Sequence, residues 1–222
     1  MSEGQRATIS TDDIFDDYRY SNVELLIFDE FLENPIKIYQ NFRYGKGGIF
    51  WDSSYVMTKY IQNLDFTNKW ILELGAGTAL PSILSFYKGA NVVATDILPV
   101  LNLTQRNLEA NTKCSDNTWT ARELNWEDQN HRENLAHYHF DYILMSDVCY
   151  LPDLAVPLCE TLYQLSSLDT TIILSYKQRI PEISDPFFTQ FSNKFSMELK
   201  DDDIRGTTKN NELHLAILKK LP

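Results

Sequence analysis

The chain has 222 residues, of which 43% are hydrophobic and 13% aromatic, a length that suits one domain and a composition too apolar for intrinsic disorder. Its formal net charge of −11 disfavours nucleic-acid phosphates as partners and favours basic ones. No uncharged apolar run approaches the roughly 18 residues a membrane span needs, so no membrane association is expected. Met1-Ser2-Glu3-Gly4-Gln5-Arg6 lacks a basic segment leading into an apolar core, which makes the cytoplasm the expected location, with the nucleus as a second compartment. Cys114, Cys149 and Cys159 form no CxxC pair, and His131, His137, His139 and His214 show no ligand spacing; free thiols and no metal are expected.

Residues 1–20 are polar, with Asp12, Asp13, Asp16 and Asp17 clustered, and read as a flexible acidic N-terminal extension. The remainder, 21–222, reads as a single domain, expected to act as a monomer. Val23–Phe28 and Ile36–Gln40 are β-like runs on either side of Asn34-Pro35 and predict a hairpin ahead of the main domain. Gly45, Gly47 and Gly48 predict a flexible loop, and the helical spacing of Tyr55, Val56, Lys59 and Tyr60 predicts a helix. From Lys69 onward, apolar runs recur at Trp70–Leu74, Asn91–Thr95, Tyr142–Met145 and Thr171–Ser175. Segments able to form helices separate them, at Leu80–Lys88, Val100–Thr112 and Asp153–Ser166, so the pattern is that of a βαβ series with a parallel sheet. Trp119–Leu124 is a weaker strand candidate. Phe195–Leu199 and Leu213–Leu218 suggest a closing antiparallel hairpin.

The run Glu73-Leu74-Gly75-Ala76-Gly77 stands where a buried strand ends and a helix begins, the position at which open α/β sheets bind ligands. Glycines there permit a tight turn and close approach of a ligand to the backbone. Taken alone, the GxG turn is equally an ordinary strand-to-helix connection. Asp96 closes the next apolar run, 23 residues after Glu73, at the spacing where an acid accepts hydrogen bonds from ribose hydroxyls. A dinucleotide fingerprint requires a further glycine where this chain has Leu80, which favours a nucleoside without a pyrophosphate.

Glu73–Ile83, ELGAGTALPSI, resembles motif I of the seven-strand methyltransferases, in the form ELGAGTGLPGI used by a group of protein-lysine methyltransferases. That group acts on Hsp70-type chaperones, translation elongation factors, calmodulin and the valosin-containing ATPase. Trp51 in GGIFWDSSYVMTKYI, Leu124-Asn125-Trp126, and Asp147-Val148-Cys149-Tyr150 agree with it in order and spacing, and the resemblance runs from about residue 47 to 165. Ala79 and Ser82 depart from it, since glycine is usual at both positions. The resemblance implies a Rossmann-like seven-strand α/β sheet, mostly parallel with a C-terminal antiparallel hairpin. It also implies S-adenosyl-L-methionine as cofactor, with Gly75, Ala76 and Gly77 along its methionine part and Asp96 on the ribose; by the residue pattern alone, Glu73 and Asp96 are the two strand-end acids that make, with the glycine turn, one nucleoside-sized site. Trp126 would flank the adenine, Trp51 would cover the cofactor, and Ser146 would contact it from the fourth strand.

By the same resemblance Asp147 and Tyr150 are the catalytic pair of a DxxY motif. Asp147 would orient the target amine and Tyr150 would form one wall of a lysine channel. Asp147 as a plain helix cap is the structural alternative. Cys149 reads as a small apolar filler and not a nucleophile, and Trp70 and Trp119, inside strands, read as core. The expected function is methylation of a lysine on a basic protein such as a translation elongation factor. The alternatives are a small-molecule N-methyltransferase of the nicotinamide type and a non-catalytic partner that keeps the fold.

Overall fold

The computed structural model describes residues 6–9, 24–27, 35–112, 117–178, 180–207 and 212–222. Three short strands come first, β1 (Arg6–Ile9), β2 (Glu24–Ile27) and β3 (Ile36–Tyr39), in a sheet of that order. β2 and β3 pair antiparallel, the hairpin predicted around Asn34-Pro35. β1 lies within the segment expected to be a tail and pairs in parallel with β2. Four residues are too few to carry a period-two signal, and the rest of 1–20 lies outside the described residues.

Phe42–Gly48 is a run of 3-10 turns where a flexible loop was expected. Asn41 fastens it at both ends: its side chain accepts the Arg43 N–H at 3.0 Å, and its own N–H donates to the Gly48 carbonyl at 2.8 Å. The helix α1 (Asp52–Ile61) follows directly.

The main sheet contains β4 (Trp70–Leu74), β5 (Asn91–Asp96), β6 (Trp119–Glu123), β7 (Tyr142–Ser146), β8 (Thr171–Lys177), β9 (Phe195–Leu199) and β10 (Leu213–Lys220). Their order is β6-β5-β4-β7-β8-β10-β9. β10 inserts between β8 and β9 and is antiparallel to both, while the pairs from β6 through β8 are parallel. The chain winds outward from β4 to β6, then returns to place β7 on the other side of β4. That reversal opens a crevice at the C-terminal ends of β4 and β7, where ligands of such sheets bind.

The alternation of side chains along each strand sorts the core into two layers. Leu72, Leu74, Ile143, Met145, Ile172 and Leu174 face α5 (Ala155–Leu165) and α6 (Pro181–Ser192), against Leu158, Leu162, Phe187 and Phe191. Ile71, Val92, Leu144, Ile173 and Leu215 face the other way, against Val56, Met57 and Ile61 of α1 and Leu84 of α2 (Leu80–Tyr87). α3 (Leu98–Asn111) completes that layer through Leu108. A short α4 (Gln129–Glu133), capped by the Asp128 side chain, links β6 to β7. Trp70 packs on Tyr138 with ring centroids 5.1 Å apart, and Trp119 packs against the α1–α3 layer, as strand positions predict.

Candidate active site

The connection from β4 to α2 passes through three left-handed residues, Gly75 (φ 62°), Gly77 (φ 52°) and Ala79 (φ 60°). The first two explain the glycines directly, because left-handed backbone costs any residue with a Cβ about 1–2 kcal/mol. Ala79 accepts that strain at a position where the resembling family has glycine. Strand β5 and helix α3 hold the turn in shape. Ala76 N–H donates to the Thr95 carbonyl at 2.9 Å, and Gly77 N–H donates to Asp96 Oδ2 at 2.8 Å. On the far side, Thr104 Oγ1 donates to the Gly77 carbonyl at 2.8 Å and Asn107 Nδ2 to the Thr78 carbonyl at 3.0 Å. Asp96 also accepts the Ile97 N–H at 2.8 Å. Burial nonetheless pushes its carboxyl up to about 6, against the pull of these two backbone bonds.

A cavity of about 840 Å³ opens above this turn, lined by Gly75, Ala76, Gly77, Asp96, Trp51, Trp126, Ser146, Asp147 and Tyr150. Residues drawn from positions 51 to 150 of the sequence thus meet in one chamber. Glu73 is the exception and corrects the expected set. Its side chain, 1% exposed, turns away from the cavity and accepts the Ser82 N–H at 3.0 Å and the Ser82 hydroxyl at 2.5 Å. Glu73 shares the strand face of Ile71, which looks towards α2, so strand alternation carries its carboxylate away from the ligand. Burial pushes that carboxyl up to about 8.

The two tryptophans take different supports. A Cβ added to Gly75 would stand 3.0 Å from Val148, tight enough to force a shift, and 3.6 Å from the Trp126 ring, an ordinary contact, so the bare glycine lets Val148 close on the turn beside the indole. The Trp126 carbonyl accepts from the Arg132 guanidinium, and Arg132 Nε donates to Gln164 of α5 at 3.2 Å. Trp51 Nε1 donates to the Lys46 carbonyl at 2.8 Å, which ties the 3-10 turns to the start of α1. That turn also presses on the glycine loop, since a Cβ at Gly77 would lie 2.9 Å from the Gly47 carbonyl oxygen.

At the end of β7, Asp147 is left-handed (φ 56°), a conformation rare for residues other than glycine, asparagine and aspartate. Its N–H donates to the Ser175 carbonyl at 2.8 Å, and its Oδ1 accepts the Lys177 N–H at 3.4 Å. The nearest helical turn, Pro152–Leu154, has Leu151 as its N-cap, so Asp147 is not a helix cap. Burial raises the Tyr150 phenol above its ordinary value, and the charges of Asp96 and Asp147 add to that effect. Burial likewise pushes the Cys149 thiol up, with Asp147 adding to it, which removes its nucleophilic form.

The chamber fits S-adenosylmethionine on three observations. Gly75 and Gly77 line it as bare backbone, their Cβ positions taken up by Val148 and the Gly47 carbonyl, Asp96 stands beside them as an acceptor, and Ser146 Oγ is buried without a hydrogen-bond partner among the described residues. Sequence reasoning did not single out Lys46, Thr104, Asn107 or Val148. Asn107 and Asn111, one helical turn apart, were the visible trace of a polar stripe on α3. What they bond, the backbone of Tyr39 and Lys37, lies 68 and 74 residues away.

Comparison with known proteins identifies the family and agrees with the fold. The chain is 33% identical over 162 residues to protein N-lysine methyltransferase METTL21A of Danio rerio, covering 70% of this chain and 72% of that one. It is 31% identical over 181 residues to EEF1A lysine methyltransferase 3 of Mus musculus, covering 78% and 76%. In fold it is similar to a TehB-like SAM-dependent methyltransferase from Corynebacterium glutamicum (TM-score 0.52, 13% identity, 75% of this chain and 88% of that one). It is also similar to precorrin-6y C5,15-methyltransferase from Geobacter metallireducens (TM-score 0.57, 11% identity, 83% and 94%). The family described as lysine methyltransferase matches residues 31–194. The chain therefore belongs to the lysine methyltransferase family, as an enzyme that moves a methyl group from S-adenosylmethionine to a lysine of a protein.

Proposed function

We propose that the target lysine enters between Asp147 and Tyr150 and that the substrate is a basic protein of the translation elongation factor 1A type. The observation that carries the first part is Asp147 itself, a left-handed acid that lines the same cavity as the glycine turn. Strained residues of this kind persist where the surrounding structure fixes them, often at reaction centres. When bound, S-adenosylmethionine supplies an electrophilic methyl group on a positively charged sulfur.

The remaining work is positional. A lysine amine, with an ordinary pKa near 10.4, must shed a proton before it can attack. A half-buried, aromatic-walled site disfavours the ammonium form and eases that loss. Asp147 accepts a hydrogen bond from the amine and aims its lone pair along the cavity. Tyr150 walls the channel, Asp96 would receive the ribose hydroxyls, and Gly75 to Gly77 would hold the methionine part. Trp126 would flank the adenine, Trp51 would cover the cofactor, and Ser146 Oγ would gain the partner it otherwise lacks.

Two supports favour an elongation factor. The net charge of −11 suits a basic partner, and relatives from Mus musculus and Xenopus tropicalis carry the name EEF1A lysine methyltransferase 3. A monomer working in the cytoplasm is the form this reading takes. Purified chain incubated with isotope-labelled S-adenosylmethionine and cell lysate should label one band that mass spectrometry identifies as elongation factor 1A, with a Gly75→Arg variant as control. Label confined to other proteins removes the elongation factor.

A further inference from the structure

Two lysines line the cavity, Lys46 and Lys177. Lys177 is paired, with its ammonium 3.0 Å from Glu212 Oε2. Lys46 has no carboxylate partner among the described residues and instead holds Nζ 4.4 Å from the centroid of the Tyr150 ring. The ring face attracts a cation through its quadrupole, and the backbone of this lysine is fixed so that the reach is reproducible. Its carbonyl accepts from Trp51 Nε1 at 2.8 Å, the preceding Gly45 turns the chain at φ 65°, and the following Gly47 abuts Gly77. The turn is thus seated on the glycine loop while its lysine crosses the mouth of the chamber to Tyr150.

Tyr150 is the wall against which the proposed function sets a target lysine, and the inference rests on that reading. An ammonium supplied by the chain itself already stands there. We propose that Lys46 is a methylation site of this enzyme, modified by its own active centre within one molecule. A tethered acceptor meets the reaction centre without the loss of freedom that a second protein must accept on binding. Lys46 is exposed at the mouth of the chamber, so solvent water is at hand to take the proton that must leave before the amine attacks. The freed lone pair then forms the N–CH₃ bond as the C–S bond breaks. The electron pair of that bond goes to sulfur, which leaves as the neutral thioether S-adenosylhomocysteine. The positive charge passes from sulfur to nitrogen, so the methylated amine forms directly as an ammonium with no further proton taken up, less hydrated than before and better matched to the aromatic ring.

The test uses the full chain with trideuteromethyl-labelled S-adenosylmethionine and no other protein, followed by peptide mapping, with a parallel incubation in lysate. Label is expected on the Lys46 peptide at a first-order rate that a tenfold dilution of the protein leaves unchanged. It should be absent from Asp147→Asn and from Lys46→Arg. Label in a lysate protein with none on Lys46 overturns the inference and leaves the proposed function standing, as does a Lys46 rate that falls with dilution. No label in either incubation overturns both. A readout independent of turnover is nuclear magnetic resonance of lysine-labelled chain without cofactor. The Lys46 ε-methylene signal, assigned by Lys46→Arg, should be shifted upfield by the Tyr150 ring and lose that shift in Tyr150→Leu. An unshifted signal in the unsubstituted chain overturns the placement.

Discussion

Gly77 donates its N–H to Asp96 Oδ2 at 2.8 Å, so the turn after β4 and the acid that ends β5 are one unit. The same glycine is held through its carbonyl by Thr104 and covered by the carbonyl of Gly47. Three parts of the chain, β5, α3 and the 3-10 turns, therefore set the shape of a single residue.

Gly77→Ala adds a Cβ 2.9 Å from the Gly47 oxygen at a φ of 52°. The left-handed backbone alone costs about 1–2 kcal/mol, and the clash is with backbone, which cannot rotate away. The variant should unfold at lower temperature and bind S-adenosylmethionine at least tenfold more weakly by calorimetry. Unchanged affinity would remove Gly77 from the cofactor cradle.

Asp147→Asn separates position from charge. Asparagine tolerates left-handed backbone and keeps a side-chain oxygen for the Lys177 N–H. Cofactor affinity should stay within about twofold while methyl transfer falls roughly a hundredfold or more, the range for losing a positioned polar group in the transition state. Equal turnover would return Asp147 to a purely structural role.

Glu73 makes stability depend on pH. Its folded carboxyl is held at about 8 by burial, against an ordinary value of 4.5. The proton is bound more tightly in the folded chain, so the contribution is fully present below pH 4.5 and is lost as the pH rises through 8. Glu73→Gln should therefore gain on the unsubstituted chain between about pH 5 and 8 in matched thermal melts. A constant difference across that window would contradict the burial argument.

Legibility in the sequence followed burial. β4, β5, β7 and β8 are covered on both faces and announce themselves as apolar runs. β6 and β9 lie at the edges of the sheet with mostly half-exposed or exposed side chains, and β6 gave a weaker signal. α6 was hidden by Pro186 in its interior, a residue that ordinarily ends a helix. The glycine turn, Asp96, Trp126 and the Asp147–Tyr150 corner were readable because each stands at or just after a strand end, whereas Trp51, the N-cap of α1, was readable only through the family resemblance. The side on which Glu73 points was not, because motif spacing does not report strand parity. The hold of α3 on the turn was also hidden, since its partners are backbone groups.

That hold leads to a last expectation. Asn107 accepts the Tyr39 N–H at 2.8 Å through Oδ1, and its Nδ2 donates to the Tyr39 carbonyl at 2.9 Å and the Thr78 carbonyl at 3.0 Å. One fully buried amide thus stands in for a neighbouring strand along β3 and braces the residue next to Gly77. Asn107→Ala leaves those backbone groups unpaired, at about 1–3 kcal/mol for each that stays buried from water. Leu108, the adjacent residue, packs in the core, so the helix itself should persist. The expected result is a clear loss of stability together with weaker cofactor binding, because both β3 and the turn are released. Asn111 makes the equivalent pair of bonds to Lys37, with none to the glycine turn. Asn111→Ala should therefore lower stability while leaving cofactor affinity near that of the unsubstituted chain. If both variants weaken cofactor binding equally, the bond from Asn107 to Thr78 is not what steadies the turn.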